Sequence, residues 1–158
     1  MTLKLRITTF IMNNKLQEKL LLLRAKKYIN RIRGIKNIAV NLDDYTQFQW
    51  HRDIYNKILR RSELPEYKIA LPASQQDIYL YLQPKINIDK SSCYYMFFEG
   101  KVIISFYFAD FYDFYDFFLS HMLLNNTFDM NILSLNPDRV IDISEDEYDL
   151  NIYDIFRS

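Results

Sequence analysis

The apolar pattern of the chain changes at Pro65, and this change limits the folds that the chain can adopt. From residue 13 to Pro65, apolar residues recur mainly at helical spacing. After it, short runs rich in β-branched and aromatic residues are separated by prolines and polar segments. Helices followed by several consecutive strands are typical of the α+β class. We therefore expect a single domain over residues 1–158, with an antiparallel sheet of about four or five strands and helices packed mainly on one face.

Three segments have the pattern of amphipathic helices. The first ends at Gly34, where a left-handed residue commonly terminates a helix. In the last, Ser144 and Glu147 have the spacing of a capping box. The predicted helices are 13–34, about 43 or 44 to 61, and about 144–156.

Six runs have the composition of strands, with period-two alternation or dense β-branched and aromatic residues. Glu99-Gly100 stands between two of them and predicts a hairpin, since glycine supplies the positive φ that a two-residue turn needs. The predicted strands are 3–10, 67–71, 77–82, 93–98, 101–108 and 138–144.

Residues 107–118, YFADFYDFYDFF, are the most unusual segment of the chain. A helix from Ala109 would place its phenylalanines on a buried stripe, with Asp113, Asp116 and Tyr112 on the opposite side. Two interpretations follow. The segment is either an ordinary surface helix with a wet outer face, or an acidic, tyrosine-bearing surface that binds a cationic partner.

The formal net charge of zero conceals a division along the chain. Residues 1–61 contain 14 Lys and Arg against 4 Asp and Glu, whereas residues 62–158 contain 6 against 16. The two parts either neutralise each other in the folded protein or present opposite charges to different partners. The cations of residues 15–36 would suit nucleic-acid phosphates, which makes a nucleic-acid-binding module the alternative function. The acidic excess elsewhere opposes that alternative.

Several classes of protein lack their usual signals in this sequence. With glycine only at positions 34 and 100, no phosphate-binding loop, dinucleotide fingerprint or nucleophile elbow is present. His51, His121 and Cys93 do not have the spacing of a metal or catalytic site. We therefore expect no enzyme activity, no metal and no cofactor. The lone cysteine and the short apolar runs predict a cytoplasmic protein that does not enter a membrane.

The Glu99-Gly100 hairpin, the segment FYDFYDFF and the acidic segment EDEYD together resemble immunity proteins of bacterial toxin systems, with contact-dependent growth inhibition as the nearest case. The resemblance implies a tight, non-catalytic inhibitor whose partner is a cognate toxin, often a nuclease with a basic active site. In this chain the acidic and tyrosine residues that we expect to bind that partner are Tyr112, Asp113, Asp116, Glu145, Asp146, Glu147 and Tyr148.

Overall fold

The computed structural model describes the backbone of residues 3–43 and 45–158, and the side chains of residues 13–43 and 45–158. Over these residues the chain forms four α-helices and seven β-strands, with a 3₁₀ turn at Thr46–Phe48. The helices are α1 (Leu3–Ile29), α2 (Gln49–Leu59), α3 (Gln75–Leu82) and α4 (Phe111–Asn125). The strands are β1 (Lys36–Leu42), β2 (Tyr67–Ala70), β3 (Tyr94–Phe98), β4 (Val102–Tyr107), β5 (Met130–Leu135), β6 (Asp138–Glu145) and β7 (Asp149–Phe156).

The seven described strands pair antiparallel in one sheet, in the order β1-β4-β3-β5-β6-β7-β2. The predicted α+β class is confirmed, but four or five strands is an undercount. The strands that the pattern did not reveal are β1, β5 and β7. β1 shows why: it lies at an edge of the sheet, and most of its side chains are exposed, so its sequence carries little alternation.

Three of the four described helices pack on one face of the sheet, and α2 packs on the other. The larger core joins α1, α3 and α4 to side chains such as Ile104 of β4 and Ile141 of β6. The smaller core joins Ile54 and Ile58 of α2 to the opposite face of the same strands, which includes Ile103. Because neighbouring side chains of a strand point to opposite faces, β4 contributes to both cores.

The aromatic segment is a helix, as the sequence predicts, and most of its rings are buried. Asp110 caps α4 by accepting a hydrogen bond from the Asp113 backbone N–H (2.9 Å). Phe114, Phe117 and Phe118 have no exposed surface. The phenylalanines of the segment therefore serve as core, where aromatic rings pack edge to face and contribute large buried areas.

Gly34 brings the end of α1 close to the start of α4. Its φ is +80°, and a Cβ at this position would lie 2.1 Å from the Asp113 carbonyl oxygen. A side chain here would therefore meet both the steric cost of left-handed backbone and a direct overlap. The predicted role of Gly34 at a helix end is modified, because α1 ends at Ile29 and Gly34 lies beyond it in the connection to β1.

Residues 3–10, which we expected to be a strand, form the first turns of α1. The backbone there continues the helix that the sequence predicts from residue 13. Once a helix exists, each added residue gains a hydrogen bond at little entropic cost, whereas a separate strand needs a partner in the sheet. The alternation of apolar and polar residues over positions 3–10 does not outweigh this advantage of the helix.

Residues 77–82 form the helix α3 and not the predicted strand. The Ser74 hydroxyl caps this helix by accepting a hydrogen bond from the Asp77 backbone N–H (3.0 Å). Ile78 and Leu82, one turn apart, are fully buried against the larger core. The tyrosines and leucines of this segment suit both structures, so the cap and the helical spacing of the buried pair decide the outcome.

Residues 149–156 form β7 and not the predicted terminal helix. Residues 150–156 pair antiparallel with β6, from Leu150 opposite Glu145 to Phe156 opposite Arg139. This pairing fixes the face of the sheet to which each side chain of β7 points. Ser144 and Glu147 do not form a capping box, because β6 continues through Glu145 and a tight turn follows. A long-range strand pairing overrides a local helical signal here.

β3 and β5 separate after two paired positions, and the sheet opens between them. The register pairs Tyr94 with Ser134 and Tyr95 with Leu133, and no further pair of the two strands is bridged in the described chain. Residues 96–98 of β3 and residues 130–132 of β5 lie beyond the last bridged pair.

None of the described helices is both long and apolar enough to cross a lipid bilayer.

Candidate functional site

A cleft of about 540 Å³ lies on the α2 face of the sheet, next to the opening between β3 and β5. We call it the acidic cleft. It is bordered by the end of α2, by residues 61–65 and by β5, β6 and β7. Met96 and His121, which belong to the other side of the sheet, also line it, because the strands separate at this point. The polar side chains on which the site depends are Tyr55, Asp129, Asn131, Asp142, Ser144, Glu145, Asp146, Asn151 and Tyr153.

The register of β5, β6 and β7 explains why polar groups gather on the floor of this cleft. Asn131 is opposite Asp142, and Asp142 is opposite Tyr153, so the three form one row across the strands. Ser144 is opposite Asn151 in the next row on the same face. Directly opposed side chains on one face lie within contact distance. The polar residues that alternate with apolar ones in β6 therefore lie beside polar residues of β5 and β7, and together they form a polar patch.

Asp142 is the most deeply buried acid of the cleft, with 3% of its surface exposed. Asn131 Nδ2 donates to Asp142 Oδ2 (2.9 Å), and the Ser144 hydroxyl donates to Oδ1. Burial nevertheless raises the pKa of Asp142, and the nearby charge of Asp129 raises it further, while the two hydrogen bonds act in the opposite direction. The carboxylate is therefore held in an environment that disfavours its charge.

Asn151 adds an acceptor that the fold does not satisfy. Its Nδ2 donates to Asp146 Oδ2 (3.0 Å), while its Oδ1 is buried and has no hydrogen-bond partner in the described part of the chain. A buried acceptor without a donor is costly unless a ligand or water supplies one. The floor of the cleft therefore offers oxygen acceptors to an incoming donor.

The rim of the cleft carries two further acids that the fold holds in place. Glu145 accepts hydrogen bonds from Thr127 Oγ1 (2.7 Å) and the Phe128 backbone N–H (3.0 Å). Asp146 accepts from Asn151 and from the backbone N–H groups of Asp149 (2.7 Å) and Tyr148, and these bonds lower its pKa to about 2. Both carboxylates are thus held in fixed orientations, and Asp146 is an anion at neutral pH.

Tyrosines and two cations complete the surroundings of the cleft. Burial raises the pKa of Tyr153 and of Tyr55, and the charge of Asp142 raises both further. These phenols therefore stay protonated and can donate or accept hydrogen bonds. Arg61 and Lys68 also border the cleft, but neither forms an ion pair with its carboxylates in the described chain. The combination suits a ligand that brings positive charge and several hydrogen-bond donors.

The structure separates the seven predicted binding residues into two groups. α4 starts directly after β4, at the sheet end where Phe106, Tyr94, Ser134 and Arg139 form a row. The β6–β7 turn lies at the other end of β6, directly after Glu145. Glu145 is six residues beyond Arg139, a distance of about 20 Å at the usual rise of a strand. α4 also packs on the face of the sheet opposite to the acidic cleft. The group on α4 and the group at the turn therefore do not form one surface.

The first group, on α4, comprises Tyr112, Asp113 and Asp116. Tyr112 is 64% exposed. Asp113 is partly buried and accepts a hydrogen bond from the Ala109 backbone N–H (3.3 Å). Asp116 forms an ion pair with Arg33 (2.9 Å). One of the two predicted carboxylates of this face is thus paired with a cation of the protein itself.

The second group, at the β6–β7 turn, comprises Glu145, Asp146, Glu147 and Tyr148. Glu145 and Asp146 line the acidic cleft, and Glu147 and Tyr148 follow them on the exposed turn, with 69% of the Tyr148 surface accessible. These four residues stay together and adjoin the cleft. Their role in binding stays a prediction.

Sequence reasoning does not identify the floor of the cleft. The acidic stretch near the carboxyl end includes Asp142, but nothing in the sequence points to Asn131, Asn151, Tyr153 or Tyr55. The segment VIDIS of β6 carries a usable signal, since Asp142 and Ser144 alternate with isoleucines in a strand buried on both sides. Polar residues at such positions need partners, and those partners come from strands that the pattern does not reveal.

The histidines and the cysteine lie apart. His51 belongs to α2, His121 to α4 and Cys93 precedes β3. Among the described residues, no group of three or more His, Cys, Asp or Glu side chains is arranged to hold a metal ion.

The basic flanks of α1 are only partly neutralised by the acidic half of the chain. Arg24 pairs with Glu99 (2.9 Å) and Arg33 with Asp116. The remaining cations of this region are exposed and form no ion pair within the described chain: Lys15, Lys19, Lys26, Lys27 and Arg31.

Comparison with protein-family models, with curated protein sequences and with solved structures finds no significant match to this chain. Its function is therefore argued from the geometry described above.

Proposed function

We propose that this protein is a non-catalytic binding protein that holds a cationic segment of a protein partner in the acidic cleft. The observation that carries this proposal is the buried Asp142 carboxylate, which accepts two hydrogen bonds but forms no ion pair within the described chain. Around it lie Asp129, Glu145 and Asp146, together with the unsatisfied oxygen of Asn151.

The energetics of Asp142 support a cationic ligand. Burial raises the pKa of this carboxyl, so its negative charge lowers the stability of the free protein at neutral pH. An arginine or lysine side chain entering the cleft would restore a favourable environment for the charge. Arginine fits the acceptors best, because its planar guanidinium presents five donors in a fixed arrangement. Truncating one partner of such a buried pair typically costs roughly 2–5 kcal/mol of binding energy.

The exposed turn beside the cleft supports a protein rather than a small cation as the partner. Glu147 and Tyr148 project beyond the rim formed by Glu145 and Asp146. Exposed tyrosines provide large contact areas at low entropic cost, and rim carboxylates accelerate the association of basic proteins. In the class that the sequence resembles, the partner is a cognate toxin, and an immunity function is the form of this proposal that the resemblance suggests.

The partner can be captured with the protein and one variant of its cleft. We expect the immobilised wild-type protein, incubated with extract of the cells that encode it, to retain a basic protein that mass spectrometry identifies. Asp142→Asn keeps the shape of the side chain and removes its charge. It should weaken that capture by roughly tenfold or more, the cost of a lost buried charge pair. Asp116→Asn, which removes a carboxylate on the opposite face, is the matched control and should capture the same protein normally.

Equal capture by Asp142→Asn and the wild type would contradict the role of the cleft. The immunity form of the proposal has its own test, in which the captured protein is produced in a host with and without this chain. Growth inhibition that the wild type relieves and Asp142→Asn does not relieve is expected. A captured protein that is harmless to the host would leave the cleft as a binding site but remove the toxin interpretation.

The second candidate, nucleic-acid binding by α1, rests on the five exposed cations that form no ion pair within the described chain. Binding of a fluorescent duplex and of a single strand, measured at about 50 to 200 mM salt, decides this candidate, since phosphate contacts make affinity fall steeply with salt. Replacing Lys15, Lys19 and Lys26 by alanine should reduce the slope. Absence of binding at the lowest salt concentration rejects it.

A further inference from the structure

A second cavity, of about 410 Å³, lies beside α2 on the same face of the sheet as the acidic cleft. Clefts that hold small molecules usually measure about 300–1,000 Å³. Its walls combine aromatic rings and Leu133 with polar side chains, and Tyr55, Phe97 and Asn131 line the acidic cleft as well. We call it the His51 cavity, and the residues that matter here are Tyr45, His51, Arg52, Phe97, Asn131 and Leu133.

His51 lines this cavity and has a buried ring nitrogen without a hydrogen-bond partner in the described chain. The side chain is only 1% exposed, and its Nε2 lies 2.7 Å from the Ser134 carbonyl oxygen and 3.5 Å from Asp138 Oδ1. Both neighbours are acceptors, so Nε2 must carry the proton of the neutral ring. Nδ1 is then a lone pair, and this buried atom has no hydrogen-bond partner in the described chain. The burial that surrounds the ring also lowers the pKa of His51, which keeps Nδ1 unprotonated at neutral pH.

Tyr45 contributes a second unsatisfied polar atom. Its hydroxyl is buried and has no hydrogen-bond partner among the described residues. The ring packs edge to face on Phe97, with centroids 4.7 Å apart, and the Arg52 guanidinium lies 5.5 Å from the ring centroid. The backbone of Tyr45 adopts a left-handed conformation, with φ of 65°, and its N–H donates to Asp43 Oδ1 (2.6 Å). A bulky residue rarely adopts this conformation, so the surrounding structure fixes the ring at the cavity wall.

These groups define the chemistry of a ligand. A group that satisfies the Nδ1 lone pair must donate a hydrogen, which an anionic group does not do, and the Arg52 guanidinium repels a cationic donor, so an uncharged donor fits best. The aromatic and aliphatic walls favour an apolar ring, and Nδ1 requires a donor. We infer that the His51 cavity binds an uncharged molecule or side chain that carries a hydroxyl on an apolar ring and donates that hydroxyl to His51 Nδ1. This inference does not depend on the function of the acidic cleft.

Phenol and anisole provide a matched pair of probes for this inference. They share the ring, but anisole carries a methyl group where phenol carries the donating hydrogen. The probes are titrated into the ¹⁵N-labelled protein, and long-range ¹H–¹⁵N spectra report both imidazole nitrogens of His51. We expect phenol to shift the His51 Nδ1 resonance and to bind about tenfold more tightly than anisole, the usual value of one hydrogen bond to a buried acceptor.

His51→Gln sharpens the test, because the Gln amide can still donate to the Ser134 carbonyl but offers no acceptor at the position of Nδ1. The preference for phenol over anisole should disappear in this variant. N-acetyltyrosinamide forms a third arm: binding tighter than phenol assigns the hydroxyl to a tyrosine of a protein partner, and weaker binding assigns it to a free small molecule. Equal binding of phenol and anisole to the wild type, or no effect of phenol on His51, would overturn the inference whether or not the variant folds.

Discussion

Two groups of carboxylates in this protein carry the same formal charge in different surroundings. At the start of α4, Asp113 is bonded to its own helix, and Asp116 is paired with Arg33. In the acidic cleft, Asp142 is buried and accepts hydrogen bonds from neutral donors, and neither Arg61 nor Lys68 forms an ion pair with it in the described chain. Both groups accept hydrogen bonds within the protein, but only the first contains a carboxylate with an ion-pair partner in the described chain. Acidic composition by itself therefore does not identify a binding surface; the position of the cations in the fold does.

The largest expected effect on stability is that of replacing Gly34, which lies against the backbone at the start of α4. Gly34→Ala should lower the free energy of unfolding by about 4 kcal/mol, because left-handed backbone and a steric overlap are each costly. The overlap is with the Asp113 carbonyl oxygen, which would lie 2.1 Å from the new Cβ. Urea unfolding followed by circular dichroism measures this change.

Gly100→Ala is the control for that substitution. Its φ of +78° is nearly the same, but a Cβ there would meet no atom within 4 Å. It should cost only about 1 kcal/mol, the strain of the left-handed conformation. Similar losses of unfolding free energy in the two variants would show that the close approach of Gly34 to the start of α4 does not contribute as described.

The second prediction tests the cost of the charge in the cleft. Asp142→Asn should raise the free energy of unfolding at pH 7 by about 1.4 kcal/mol for each unit by which the folded pKa exceeds the unfolded one. The sign follows from the raised pKa: the unfolded carboxyl ionises first as pH rises above 3.8, so the wild type loses stability through the folded pKa.

The difference between Asp142→Asn and the wild type should therefore be present at pH 7 and vanish below about pH 4. Denaturant titrations at both values measure it. A variant less stable than the wild type at pH 7 would mean that the hydrogen bonds from Ser144 and Asn131 outweigh the burial of the charge.

The third prediction concerns His51, whose pKa is lowered mainly by burial. A histidine with a depressed folded pKa binds its proton first in the unfolded state, so its contribution to stability is lost as pH falls below about 6.5. The wild type should lose stability relative to His51→Gln as pH falls below about 6.5. Thermal unfolding of both proteins above and below this pH is the measurement, and parallel curves would contradict it.

The smallest expected effect is that of the ion pair on α4. A double-mutant cycle with Arg33→Ala and Asp116→Ala should give a coupling of only about 0.5 kcal/mol, because the pair is exposed to solvent and screened. The coupling should fall further at high salt. A value several times larger would show that the α4 carboxylates are held as firmly as those of the cleft.

Local signals in the sequence predict the elements that local interactions stabilise. The hairpin at Glu99-Gly100 forms, with φ of 34° and 78° at the two residues, but its loop has three residues and not two, because Phe98 pairs with Val102. The helix of the aromatic segment and the strands β2, β3, β4 and β6 also lie at or near their predicted positions. In these segments composition, periodicity and turn chemistry agree, so tertiary contacts do not change the outcome.

The predicted secondary structure is wrong where a segment suits both helix and strand, or where pairing with a strand distant in sequence determines the structure. Residues 77–82 have a composition that suits a strand, but Ser74 and the Ile78–Leu82 spacing form a helix. Residues 149–156 have a helical stripe, but the ladder with β6 makes them a strand. For the candidate site, the sequence identified Glu145 and Asp146, whereas the floor of the cleft depends on register.

The sequence by itself determined the α+β class, the aromatic core helix and the unequal distribution of charge, because composition and short-range periodicity are properties of neighbouring residues. Only the tertiary structure decided which charges meet. The pairing of β5, β6 and β7 places Asn131, Asp142 and Tyr153 in one row, and the approach of α1 to α4 gives Asp116 its cation. Electrostatic energies depend on distance and burial in space, and neither can be read from local patterns along the chain.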